Sequence, residues 1–245
     1  MPNPKPREDS CPPQAAEPQL PAPGLDKLID AAMHDVRNSL SAIRLGVELL
    51  HRRGDTQDLG GVLAHVDSAA LRAHERAEEV ADLSRLAAGR DIGISASRFS
   101  LHAVVRQTID AVMPSRANTV YEHDRLGEGD CFGDAARIGQ FVALSLEELA
   151  DAAPAALLIV VCEVAGEHYR VAVHVDPRQR HDVREAPDLH EERKKATPSR
   201  VRRQVLLHGI ARAHQGQVRF DLERPGCSPS IEGRFMSVRP GPRAL

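Results

Sequence analysis

Tryptophan is absent and aromatic residues make up only 3% of the 245 residues, two Tyr and five Phe. This excludes a base-stacking platform for single-stranded nucleic acid and leads to the expectation of a core built from Ala, Leu, Val and Ile. Cysteine is scarce and scattered at Cys11, Cys131, Cys162 and Cys227, with no CxxC pair and no His at zinc-ligand spacing. Neither a disulfide framework nor a metal site is expected, and Cys131 and Cys162 read as small core fillers. No apolar run approaches the roughly 18–20 residues needed to cross a bilayer, and the opening MPNPKPREDSCPPQ has no apolar stretch of the signal-peptide kind. The expectation is a cytoplasmic protein without membrane contact. Charge of neither sign dominates: 32 basic against 35 acidic side chains give a net charge of −3. A general nucleic-acid binder needs a positive field to displace counterions from phosphates, so nucleic acid is not an expected partner.

What remains is an ordinary soluble composition, 42% hydrophobic and 27% charged, in a chain long enough to bury a sizeable core. Eight of the seventeen prolines lie in residues 1–24. Proline removes a backbone donor and fixes φ, so this stretch reads as a disordered, Pro-rich tail. From Leu25 the texture changes. Ile29, Val36, Leu40, Ile43, Val47 and Leu50 recur at threes, fours and sevens, which predicts one apolar stripe on a long helix. Gly54 and Asp55 in the run Arg53–Thr56 supply helix-stop and N-cap chemistry. Val62, Val66, Ala69, Ala73, Ala77, Val80 and Ser84 then continue the spacing to about Ala88. Residues 25–90 are therefore expected to form an antiparallel helical hairpin. A hairpin with one stripe per helix leaves each stripe half covered, and a homodimer completing a four-helix bundle is expected to cover it.

Beyond the Gly89–Ser97 linker, residues 98–240 read as a second, α/β unit. Helices are predicted at 100–113, 134–150 and 199–214. Strands are predicted at 117–122, 155–163, 168–175, 216–222 and 233–239, the middle two as a hairpin about Ala165-Gly166. The polar stretch 176–198 lacks periodicity and reads as a solvated, mobile segment. The fold class is α+β: a long helical hairpin followed by a sheet with helices on one face.

On a helical wheel the stripe through Val36, Leu40, Ile43 and Val47 centres roughly 180–220° from His34. His34 is thus expected to face solvent, beside Arg37, Asn38 and Ser41 and flanked by Asp35. An exposed imidazole on a rigid helix next to a carboxylate and an amide suits a phosphoryl acceptor. His51, His65 and His74 lack such neighbours and read as surface residues. His208 and His214 on the late helix read as packing or polar surface.

The run Met33-His34-Asp35-Val36-Arg37-Asn38-Ser39-Leu40-Ser41-Ala42-Ile43 resembles the H-box of two-component sensor histidine kinases: His, an acidic residue, two residues, Asn, a residue that is often Pro, then Leu. Ser39 stands where Pro is common. Farther along, Gly133-Asp134-Ala135-Ala136-Arg137-Ile138-Gly139-Gln140 is similar to the lead-in of that family's N-box helix. Ala213-His214-Gln215-Gly216-Gln217-Val218 resembles its penultimate helix-to-strand turn, and Arg234-Phe235-Met236-Ser237-Val238 before Pro240 resembles its last strand. The resemblance covers about residues 25–240 and implies a dimerisation and histidine-phosphotransfer hairpin followed by an ATPase-like domain.

The same resemblance implies a degenerate nucleotide pocket. The N-box Asn that helps hold Mg²⁺ falls at Glu148, and the upstream Asn at Leu144. The Asp-x-Gly-x-Gly turn falls at Asp176-Pro177-Arg178-Gln179-Arg180, where the Asp survives and both glycines are gone. The second glycine-rich turn falls near Ser199-Arg200-Val201-Arg202-Arg203, without glycine. Glu148 and Asp176 are the remnants. A carboxylate at Glu148 suits Mg²⁺; the alternative is that it faces water together with Glu147. Loss of three backbone or charge-assisted contacts at ~1.5–3 kcal/mol each takes micromolar ATP binding to millimolar or worse. No cofactor is therefore expected, ATP and Mg²⁺ entering only if the chain is a divergent kinase.

Three functions are implied. In the first, His34 takes a phosphoryl group from the aspartyl phosphate of a response-regulator receiver and relays it. Asp35 orients or deprotonates the ring, Arg37 neutralises charge, and Asp35-x-x-Asn38 resembles the family's receiver-phosphatase motif. In the second, the chain is an ATP-dependent autokinase. In the third, it is a silent dimeric adaptor for a receiver or a kinase. The expected partners are receiver domains, an upstream hybrid kinase and a second copy of the chain.

Overall fold

The computed structural model describes residues 24–52, 59–115, 119–154, 156–176, 197–222 and 228–237. The expected tail, the turn at 53–56 and most of the 176–198 segment lie outside them.

Two helices, α1 (Leu25–Arg52) and α2 (Leu59–Ala87), form the hairpin. The seam between them runs through Leu28, Ala32 and Gly46 of α1 and Ala69, Ala73 and Leu83 of α2, all buried. Small residues bring the helices close: a Cβ on Gly46 would stand 2.4 Å from Val66 Cγ2. The apolar stripe inferred from spacing is only partly covered within one chain. Ile43 and Val36 are half-buried, but Leu40 is 54% exposed and Val47 lies outside the seam with it. On α2, Ala77 and Ser84 are likewise exposed, and burial passes to Glu79, Asp82 and Leu83. The physical reason is that the lower turns of α2 pack on the second unit as well as on α1, so two faces compete for the apolar positions. Leu45, Leu49, Leu63 and Leu71 join Leu40 and Val47 as exposed large apolar groups on the hairpin.

The second unit runs β1 (Ser97–Ser100), α3 (Leu101–Val112), β2 (Val120–Leu126), β3 (Asp130–Gly133), α4 (Ala135–Ala152), β4 (Leu157–Ala165), β5 (His168–Val175), α5 (Pro198–Ala213), β6 (Gln217–Asp221) and β7 (Ser230–Met236). Five strands form one sheet in the order β2-β4-β5-β7-β6, with β2 parallel to β4 and the other pairs antiparallel. The β4–β5 hairpin matches expectation. β1 and β3 form a separate two-stranded antiparallel ribbon that the pattern did not signal, each strand being only four residues long.

Helix starts are set by side-chain caps. Ser100 caps α3, Asp134 caps α4 through Oδ1 on the Arg137 amide, and Thr197 caps α5 with Pro198 at the first helical position. On β5, Tyr169, Val171, Val173 and Val175 alternate inward under the helices. On the other face, Arg170 pairs with Glu163 and Glu232 across strands. One face is thus covered and the other wet, as antiparallel sheets allow.

The expectation of a purely aliphatic core is corrected. Tyr169, Phe141 and Phe235 are the largest fully buried side chains. Tyr169 stacks on Phe235 at 5.1 Å between ring centres, and Phe141 meets Phe235 edge-on at 5.0 Å. Few aromatics suffice because they are concentrated at one point. Leu28, Ala32, Leu83 and Ile92 belong to the same continuous core as the sheet residues, so the base of the hairpin is fused to the α/β unit.

Candidate phosphoryl-acceptor site

His34 and Asn38 stand one turn apart on the outer surface of α1, both exposed, with Arg37 exposed between them. Asn38 Nδ2 lies 3.1 Å from His34 Nδ1, to which it donates. The two meet because positions i and i+4 of a helix share a face. Ser41 is turned away, its hydroxyl donating to the Arg37 carbonyl at 2.9 Å.

Asp35 has a partner outside the hairpin. Its carboxylate accepts a hydrogen bond from Arg202 Nη1 at 2.9 Å, across from α5. Arg202 is buried, and its Nε faces Glu79 Oε2 at 3.3 Å without hydrogen-bond geometry. Glu79 is held on its other oxygen by Arg76. The acid beside His34 is therefore part of a link between the hairpin and α5, and the immediate partner of the imidazole is Asn38. A second link lies nearby: Arg137 of α4 forks onto both carboxylate oxygens of Asp82 on α2, one at 3.0 Å. Burial raises the Asp82 carboxyl above its ordinary value, and Arg137 opposes the rise.

The remnant nucleotide residues behave differently. Glu148 is 2% exposed and does not face water, whereas Glu147 beside it is half-buried. Oε1 of Glu148 meets Arg200 Nε at 2.8 Å and Oε2 meets Arg203 Nε at 2.8 Å. Arg203 also donates to Asp151 at 2.8 Å. Two arginines from the first turns of α5 thus occupy both oxygens of Glu148. Asp176 is buried at the end of β5, its backbone N–H donating to the Leu157 carbonyl; the turn that follows it lies outside the described residues. Asp134, in the motif leading into α4, is structural. Its Oδ1 caps α4 and its Oδ2 accepts from the Ser95 amide at 2.7 Å. His214 is fully buried, accepting from the Asp134 amide through Nε2 and donating from Nδ1 to the Ile210 carbonyl. Burial lowers its pKa below the ordinary imidazole value, opposed by the bond to Ile210. Its place is in the packing between α5 and the start of α4. His51, His65 and His74 of the hairpin lie apart from this group: His51 and His74 are exposed, and the His51 ring bonds only its own helix, at the Val47 carbonyl.

One constellation escaped the sequence reading. His102 of α3, His123 of β2 and Cys162 of β4 bring their Nδ1/Nε2 and Sγ atoms within 4.8 Å of one another. Separations of 21 and 39 positions carry no motif, and only the pairing of β2 with β4 under α3 joins them. Burial pushes the Cys162 thiol up to about 12, against the pull of Arg125. Burial also lowers the His123 pKa, helped by His102 and Arg125.

No protein-family model and no curated protein matches the chain. Solved structures are similar. The Acinetobacter baumannii histidine kinase AdeS aligns at a TM-score of 0.52 and 17% identity, over 84% of this chain and 98% of that one. Full-length ShkA in complex with AMPPNP aligns at a TM-score of 0.53 and 14% identity, over 87% of this chain and 46% of that one. The chain therefore has the histidine-kinase fold, a helical hairpin followed by an ATPase-like α/β unit. No helix among the described residues is long and apolar enough to cross a membrane.

Proposed function

We propose that the chain is a two-component signalling protein in which His34 exchanges a phosphoryl group with the aspartate of a response-regulator receiver. The observation that carries this reading is the contrast between an exposed, amide-supported imidazole on a histidine-kinase fold and a nucleotide-side carboxylate bound on both oxygens by arginine. Asn38 carries oxygen as well as nitrogen on its amide. As placed, Asn38 Nδ2 donates to His34 Nδ1 and Nε2 carries the ring proton; a turn of the amide that brings Oδ1 to Nδ1 moves the proton there and leaves the Nε2 lone pair facing outward. That nitrogen attacks the phosphorus of the receiver's aspartyl phosphate, the P–O bond breaks, and the carboxylate leaves. The ring proton passes to solvent, leaving a neutral phosphoimidazole. The reverse sequence loads a second receiver. Arg37, on the same exposed side, offers charge for the transferring group.

The pairing of both Glu148 oxygens with Arg200 and Arg203 supports the reading that ATP binding is lost. Leu40, Leu45, Leu49, Leu63 and Leu71, exposed on the hairpin, support a homodimer whose partner hairpin covers them. A second reading, ATP-dependent autophosphorylation of His34, draws support from the AMPPNP in the ShkA structure.

One experiment separates the readings. The protein and its His34→Ala variant are given labelled ATP, and separately a labelled phospho-receiver from a panel. Label taken only from a receiver, and only by the parent chain, is the expected result. Label from ATP would establish the kinase instead. Tight receiver binding without any label would leave a docking adaptor.

A further inference from the structure

We propose that His102, His123 and Cys162 form a binding site for one thiophilic d¹⁰ cation, zinc(II) or copper(I), independent of the chemistry at His34. The three residues come from three elements and converge from three directions. His102 Nδ1 lies 3.0 Å from Cys162 Sγ, and His123 Nε2 lies 3.0 Å from the same sulfur. Imidazole nitrogen and thiolate sulfur are the donor set these ions prefer.

The protonation pattern is the strongest argument. His102 Nε2 lies 3.3 Å from the Gly127 carbonyl, which can only accept. Nε2 must therefore carry the ring proton, and the Nδ1 lone pair is aimed at sulfur. A backbone carbonyl fixing the far nitrogen of a ligating His is the usual outer-shell arrangement of metal sites. The thiol has one proton to give, while two ring nitrogens press on the sulfur at the same distance. Whichever nitrogen is not served must oppose a lone pair to the sulfur or donate to a weak acceptor. A cation among the three atoms satisfies all of them: two N–metal bonds and one S–metal bond form, and the thiol proton leaves to solvent.

The surroundings are shaped for it. Gly129, at φ +85°, holds the β2–β3 turn against His102, where a Cβ would stand 2.3 Å from the ring. Gly127, at φ +80°, has the Val164 carbonyl oxygen 2.7 Å from where its Cβ would be. Glycine alone meets both demands, and the turn it permits supplies the carbonyl on Nε2. Cys162 is fully buried, whereas both histidines reach partly to the surface, which gives an ion a way in. Zinc–sulfur and zinc–nitrogen bonds of about 2.3 and 2.0–2.1 Å place tetrahedral N and S about 3.5 Å apart. The two rings must withdraw by about 0.5 Å to reach that spacing, a movement that partly exposed side chains can make. Three protein ligands leave a fourth position for water. An ion held there would staple α3 to the β2–β4 edge of the sheet.

The test uses the full chain, reduced and freed of metal. Zinc(II) is titrated against a chromophoric chelator, copper(I) likewise without oxygen, and cobalt(II) serves as a spectroscopic stand-in for zinc. Expected are one ion per chain for at least one of the two metals, a thiolate-to-cobalt charge-transfer band, and a rise in melting temperature with the bound ion. His102→Gln and His123→Gln, at partly exposed positions, should each weaken binding by at least ~100-fold. Cys162→Ala should abolish the cobalt band, with circular dichroism verifying that each variant is folded. Failure of both ions to bind would overturn the proposal. So would affinities unchanged in the two histidine variants, because any bound metal would then sit elsewhere.

Discussion

The outer face of α1 and the α4–α5 contact carry charged and polar groups in opposite circumstances. Around His34 they are exposed and loosely tied: one amide at 3.1 Å supports the ring, and Arg37 extends into water. Around Glu148 they are mutually bound, with two half-buried arginines on one buried carboxylate and the exposed Asp151 behind. A reactive group must be reachable and able to change charge, so it sits where water offsets that change. A buried ion pair cannot lose one member cheaply, because the other is left uncompensated. A group's availability for chemistry is thus set by its partners rather than by its residue type. Asp35 makes the point within one turn of His34, since its bond to Arg202 recruits it into the scaffold.

The contrast is tested most severely at His34. His34→Ala removes the nucleophile and is expected to cut phosphoryl uptake from a receiver by at least ~10³-fold. Because the residue is exposed on a helix, stability should change by only about 0.5 kcal/mol or less; labelling and urea titration measure the two effects. Glu148→Ala should do the reverse. It removes the buried carboxylate that Arg200 and Arg203 share, Asp151 still holding Arg203, and should cost about 3 kcal/mol in urea denaturation, with transfer by the surviving folded fraction intact. Glu148→Gln, which keeps hydrogen-bond acceptance, should cost less.

Asn38→Ala tests the smaller effect of orientation. Loss of one hydrogen bond of about 1.5 kcal/mol predicts a transfer rate lower by about tenfold, read in a single-turnover assay. The gentlest handle is pH, through the buried imidazole of His214. Its pKa is lowered by burial from the ordinary 6.5, so the unfolded chain takes up the proton first as pH falls. The contribution to stability is whole above about pH 6.5 and declines below it, levelling off once the folded ring also protonates. One imidazole can remove at most about 1.4 kcal/mol per pH unit in that window. Urea midpoints between pH 7.5 and 5.5 should fall accordingly, and a His214→Gln variant should show a shallower decline.

The parts of the molecule legible in the sequence are those whose partners lie within a few residues. The spacing of Leu25 to Ala87 announces two helices, and the Ala165-Gly166 turn announces the β4–β5 hairpin. His34 and Asn38 meet because four residues make one helical turn. The seam of the hairpin was less legible, since Leu40 and Val47 fit the period as well as Ala32 and Gly46 do, and only the packing of α1 on α2 decides which face is pressed inward. The bond from Arg202 to Asp35 was not legible at all. The two residues lie 167 positions apart, and nothing in the run around His34 distinguishes a carboxylate that serves the ring from one that joins two units. The same holds for Glu148, whose arginines arrive from 52 and 55 positions downstream, and for His102, His123 and Cys162, gathered by the pairing of β2 with β4.

Local periodicity and backbone chemistry were enough to write the helices, the strands of the main sheet and the face on which His34 stands, because each depends on neighbours only a turn or a hairpin away. Which acids are held by arginine, which leucines stay uncovered and which cysteine meets two imidazoles depended on how those elements pack. Burial and ion pairing are properties of distant surfaces brought into contact, and a linear order of residues does not encode that contact in any short-range pattern.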